Sequence, residues 1–163
     1  QERLMNLAKA IEIAASAHST QKDKGGSPYI LHPIRVMMSL NTEEEKIVGV
    51  LHDVVEDSED WNFDRLREEG FAEDIVSALK SVTKQSDAEN YEAFIERAGR
   101  NQIGRNVKIA DLRDNLDVTR IGTLKEKDLL RINKYKNALL KLASGSPVSF
   151  LHLGFPNSDN IKN

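Results

Sequence analysis

Apolar residues recur at helical spacing along almost the whole chain. Leu4, Leu7, Ala8, Ile11 and Ala15 follow the i, i+3, i+4 rule and predict a first helix ending near His18. Residues 19–28 are polar and contain Gly25, Gly26 and Pro28, which reads as a loop. A second helix is expected from about residue 29 to residue 40, with Pro33 tolerated in its first turn. Thr42 followed by Glu45 is a capping-box pattern that opens a third helix. That helix carries Ile47, Val48, Val50, Leu51, Val54 and Val55 and should fade near Asp57. Short helices are expected over residues 63–69, stopped by Gly70, and over residues 72–82. A polar loop at 84–90 precedes helices over 91–100 and 103–118. Thr123 with Glu126 forms a second capping-box pattern, opening a last helix to about residue 143 that Gly145 and Pro147 end. No strand alternation is sustained, and 148–155 is the one short candidate. The expected class is all-α: a single bundle of seven or eight helices over residues 1–146, with a polar tail over 147–163.

Composition narrows the chemistry. A chain of 163 residues can bury a real core as one domain. It has no cysteine, so disulfides, zinc–thiolate sites and thiol nucleophiles are excluded, and any metal must use His, carboxylate and water. The net charge of −3 and the small aromatic content argue against a nucleic-acid partner. They leave a small anionic substrate open, because a local basic pocket can sit inside an acidic total. No apolar run is long enough to span a bilayer, and Glu2 and Arg3 lead into an amphipathic pattern rather than a signal peptide. A cytoplasmic protein is expected.

Three segments then stand out. In Leu51-His52-Asp53-Val54-Val55-Glu56-Asp57, helical geometry lets His52 and Asp53 lean toward one ion and sets Glu56 and Asp57 one turn beyond them. Such a polar row among Val and Leu is either a solvated acidic helix end, which the helix dipole disfavours, or a row that binds something. His32, just ahead of Pro33, is by itself a packed or surface histidine or a ligand. Asp111 and Asn115, four apart in Val107 to Leu116, fit either an ordinary amphipathic helix or a site.

Together and in this order, Tyr29 to Val36, Leu51 to Ser58 and Lys108 to Leu116 resemble the three hallmark segments of the HD hydrolase domain in RelA/SpoT enzymes and stand-alone small alarmone hydrolases. The likeness runs from about residue 5 to residue 143, and no synthetase-like region is expected after it. The resemblance implies an all-helical domain with one divalent ion, usually Mn²⁺, held by His32, His52, Asp53 and Asp111. It implies that Glu56 and Asp57 position or deprotonate the attacking water, and that Asn115, Tyr135, Arg131 and Lys24 meet substrate. Lys22 and Lys108 are further candidates to neutralise pyrophosphate. The implied reaction is metal-assisted hydrolysis of ppGpp at the 3′-oxygen, releasing pyrophosphate.

The sequence departs from that family at particular points. Asp23 stands where alarmone hydrolases carry an Arg that helps hold guanine, Leu116-Asp117 replaces Met-Arg, and the 83–105 loop is short. A phosphohydrolase acting on another nucleotide or phosphoester therefore fits too, and a non-catalytic nucleotide-binding module is a third reading. His18 is expected to be structural or exposed, with an approach to the substrate loop as the alternative; His152 has no role; Arg35 is a surface charge or a phosphate contact, with the surface favoured; and Arg113 and Asp114 are expected to face solvent.

Overall fold

The computed structural model describes residues 7–144. Its elements are α1 (Leu7–Ala17), α2 (Leu31–Met38), α3 (Glu43–Leu51), the single turn α4 (Val54–Asp57), α5 (Phe63–Glu68), α6 (Glu73–Val82), α7 (Tyr91–Arg100), α8 (Gln102–Asn115) and α9 (Glu126–Ala143), with a 3₁₀ turn at Val118–Arg120. Among the described residues the one extended pairing is an isolated bridge between Lys22 and Pro28. The all-α expectation is met. Leu4, Gly145, Pro147, His152, the candidate strand at 148–155 and the tail lie outside the described residues.

Helix α3 is the axis of the bundle. Ile47, Val48, Gly49, Val50 and Leu51 are consecutive and all buried, so the helix is apolar all round and must lie inside. It packs against α1, α2, α6 and α8. Gly49 permits this closeness: a Cβ there would stand 2.6 Å from Leu40 Cδ1. Its first turn is fixed by the expected capping box. Glu45 N–H donates to Thr42 Oγ1 at 3.2 Å, and Glu45 Oε2 accepts from the N–H of Thr42 and of Asn41. Glu45 also accepts from Asn106 Nδ2 at 2.7 Å, which ties the start of α3 to α8. A smaller apolar cluster of Ile95, Leu112, Ala138, Leu139 and Leu142 joins α7, α8 and α9.

Two local expectations are corrected. The third helix does not run through to Asp57. It ends at Leu51, His52 and Asp53 form a turn, and α4 follows as one turn. Asp53 sits at φ −103° and ψ −2°, in the sparsely populated bridge region where active-site residues often occur. The His52 imidazole explains the interruption: its Nδ1 bonds to Gly49 O at 2.6 Å and so competes for a carbonyl of the helix ladder. The last helix is not opened by Thr123. Its cap is at Lys125, whose N–H donates to Asp128 Oδ2 at 2.9 Å. Gly70 ends α5 as expected, with φ +96°.

Candidate metal centre

The His52–Asp53 turn places two side chains at the end of α3, α2 supplies His32 from its first turn, and α8 supplies Asp111 from its last turns. These four come together. His32, His52 and Asp53 each offer a ligand atom, all within 4.8 Å of one another. Asp111 Oδ1 closes the group, 3.1 Å from His32 Nε2 and 3.6 Å from His52 Nε2. Asp53 Oδ2 lies 3.0 Å from His52 Nε2 and 3.8 Å from His32 Nε2.

The two imidazoles are pinned from behind. A carbonyl only accepts, so Gly49 O fixes the proton of His52 on Nδ1. Asp114 Oδ2, 2.6 Å from His32 Nδ1, does the same for His32. Both Nε2 atoms therefore face the centre, and as neutral ligands they turn lone pairs toward two carboxylates. His52 Nε2 is buried and has no hydrogen-bond partner. Bare lone pairs facing carboxylates repel unless positive charge lies between them, and without a metal the raised imidazoles hold a proton there. A divalent cation would take the place of those protons, and the donor set of two nitrogens and two carboxylates suits a first-row metal or a similar ion.

Protons respond to the same field. Burial pushes both imidazoles down, but Asp111 and Asp114 at His32, and Asp53 and Asp111 at His52, push harder and hold both above the ordinary range. Asp53 and Asp111 are held low against burial, Asp53 chiefly by His52 and Asp111 chiefly by Lys108. Lys108 Nζ lies 2.8 Å from Asp111 Oδ2 and 4.9 Å from the Phe94 ring centroid. Tyr29 OH donates to Asp53 Oδ2 in a short hydrogen bond, and burial beside that carboxylate raises the phenol.

The centre opens on a cleft of about 590 Å³, within the range of small-molecule sites. Glu56 lies on its wall. Its Oε1 accepts from Lys84 N–H, and crowding by the surrounding protein raises its carboxyl despite that bond. Asp57 is not a second wall carboxylate. Its Oδ2 accepts from Gln21 Nε2 at 3.0 Å, so the acidic pair diverges, as neighbours about 100° apart on a helix do. Asn115 borders the cleft and donates to Asp111 Oδ1 at 2.7 Å, holding the ligand carboxylate. Lys24, Lys22, Arg131 and Tyr135 also border it. Arg131 is paired with Asp128 at 3.1 Å. Burial and the neighbouring Arg131 lower the Lys24 ammonium, the mark of cations gathered without enough negative charge.

Two surface expectations are overturned. Asp114 is not solvent-facing: it binds His32 and accepts two bonds from Arg35, Nε to Oδ1 at 2.8 Å and Nη2 to Oδ2 at 3.1 Å. Arg35 is therefore part of the site and not a free surface charge. The available signal was paired spacing: Arg35 follows His32 by three residues and Asp114 follows Asp111 by three, one helical face in each case. Tyr29 and Tyr91, which borders the cleft beside Tyr135, were also missed. His18 is buried and structural, its Nδ1 2.8 Å from Gln21 Oε1 and its ring against Tyr29. Asp23 proves to be a loop former: its Oδ1 accepts from the N–H of Gly25 and of Ser27, both at 2.9 Å. Arg113 is exposed, as expected.

No family model matches the chain. It is 31% identical over 121 residues to the guanosine-3′,5′-bis(diphosphate) 3′-pyrophosphohydrolase of Aquifex aeolicus, covering 68% of this chain and 17% of that protein. It is 37% identical over 97 residues to the protein of the same name from Borreliella burgdorferi, covering 57% of this chain and 14% of that one. The chain belongs with the RelA/SpoT-type hydrolases. A third relative, from Mycoplasma genitalium, is named a probable enzyme of the same kind and is 30% identical over 127 residues, covering 68% of this chain and 18% of that protein. The chain thus spans less than a fifth of the length of these RelA/SpoT-type relatives. Among the described residues no helix is long and apolar enough to cross a membrane.

Proposed function

We propose that residues 1–146 form an HD-type domain that hydrolyses guanosine 3′,5′-bis(diphosphate), ppGpp, at its 3′-pyrophosphate and releases pyrophosphate. The observation that carries the reading is the convergence of His32, His52, Asp53 and Asp111, with both Nδ1 protons already committed on the far side. These four would hold one divalent ion, Mn²⁺ or a similar metal. When bound, the ion supplies Lewis-acid polarisation of a phosphoryl oxygen and lowers the pKa of adjacent water.

The chain's own residues do the rest. Glu56, its carboxyl raised by burial on the cleft wall, takes a proton from the attacking water. Lys108 balances the charge of Asp111, and Asn115 keeps that carboxylate turned inward. Tyr135 offers the sugar and base an apolar face, while Lys24 and Arg131 attract the phosphate groups. Asp57 acts at a distance, by holding the loop that carries Gln21. The reading places the activity in the cytoplasm, a reducing compartment that suits a cysteine-free chain.

One observation favours a second reading, the same chemistry on another nucleotide. Asp23 is a carboxylate engaged in its own turn and cannot act as the cation expected over guanine. Turnover of ppGpp with Mn²⁺ set against a panel of guanine and adenine nucleotides separates the two. Pyrophosphate release highest from ppGpp supports the first reading, and a preferred adenine or monophosphate substrate replaces it with the second. A metal-free protein inert on the whole panel would leave only a binding module.

A further inference from the structure

Resting on the metal reading above, we infer that Asp114 is a positioning residue for the metal ligand His32, and that Arg35 is the clamp that keeps Asp114 in place. The two imidazoles of the centre are not oriented in the same way. His52 leans on a backbone carbonyl, which the fold supplies without any choice of side chain. His32 leans on a carboxylate, 2.6 Å away and largely buried, with 12% of its side chain exposed. A carboxylate behind a ligating imidazole fixes its tautomer, restrains its ring and raises its basicity as a ligand.

Asp114 does not hold that position alone. It has two oxygens, and the like charge of Asp117 lies just beyond its helix. Arg35 engages both oxygens through Nε and Nη2, a bidentate geometry that removes the freedom of the carboxylate to rotate away. Arg120 adds a contact to Oδ2 at 3.3 Å and a bond to the Asp114 backbone carbonyl. The arrangement is reciprocal between two helices. Helix α2 gives a ligand, His32, and three residues later the clamp, Arg35. Helix α8 gives a ligand, Asp111, and three residues later the orienter, Asp114. The same four side chains thus join α2 to α8 and hold the α2 and α8 contributions to the centre, while His52 and Asp53 come from the end of α3.

The test is a titration of metal-free protein with Mn²⁺ alone, followed by calorimetry, for the parent, His52→Ala, Asp114→Asn and Arg35→Gln. Asp114→Asn keeps the shape and one acceptor oxygen but loses the charge, and is expected to bind about 10- to 100-fold more weakly. Arg35→Gln, which leaves the His32 contact itself intact, should sit near the lower end, about tenfold. Asp114→Glu should recover part of the loss. In Zn²⁺-loaded, ¹⁵N-labelled protein the His32 Nδ1 proton should exchange with solvent faster in Asp114→Asn than in the parent, while the His52 signals stay unchanged. A purely structural role would instead lower the melting temperature of the metal-free variants with no selective change at His32. If the parent binds and His52→Ala does not, yet Asp114→Asn binds as tightly as the parent, the positioning role is wrong and the metal centre stands. A parent that binds no ion overturns both.

Discussion

Two parts of the bundle are built differently, although α8 belongs to both. In one, the nine-residue α3 buries five consecutive residues and is enclosed by α1, α2, α6 and α8. In the other, α9 has 18 residues yet buries only Asp128, Ala138, Leu139 and Leu142, and leaves Leu129 and Leu130 more than half exposed. The turn that carries the candidate ligands His52 and Asp53 follows the enclosed helix, and the residues proposed to meet substrate, Arg131 and Tyr135, lie on the thinly packed one. A metal centre tolerates little displacement of its ligands, so it belongs where packing leaves no slack. Contacts to a substrate tolerate adjustment, and a wall held by one small cluster can supply it.

The sharpest way to break this contrast is to attack the enclosed part. His52→Ala removes a proposed ligand and leaves a cavity beside Gly49 at once. Metal content and turnover should both fall to background, read by elemental analysis and pyrophosphate release on one preparation. Retained metal with lost turnover would move His52 from the ligands to the catalytic groups. Glu56→Gln should act between the two parts. Turnover is expected to fall about 10²- to 10⁴-fold, the usual contribution of a general base, with metal content unchanged. A variant as fast as the parent would remove Glu56 from the chemistry. Tyr135→Ala should give the smallest effect and sharpen the contrast most. The loss of one aromatic face is worth about 1 kcal/mol, so KM should rise about fivefold with kcat and metal affinity little changed. An equal fall in metal affinity would mean the far wall is coupled to the centre.

The same contrast explains what could be read in the chain. The four candidate ligands were legible only through the resemblance of three ordered segments, since periodicity alone left His32 and Asp111 open. The helix order was legible from apolar periodicity, and the Thr42–Glu45 cap because both partners are local. What escaped depends on contacts between distant segments. Asp114 and Arg35 lie 79 positions apart, and each alone looks like an ordinary helix-surface charge. The break after Leu51 comes from a side chain bonding back to the helix, which periodicity does not register. Asp23 was read only as a departure from a guanine-holding Arg, whereas two backbone N–H groups of its own loop donate to its Oδ1. On α9 the Thr123–Glu126 spacing suggested a cap, but Asp128 bonding to Lys125 N–H sets the start two residues later.

The most direct test is a crystal structure of the protein soaked in Mn²⁺, with diffraction recorded on both sides of the manganese absorption edge. One anomalous peak should appear, bounded by His32 Nε2, His52 Nε2 and carboxylate oxygens of Asp53 and Asp111. A fully ordered centre with no peak, or a peak held by other side chains, would contradict it.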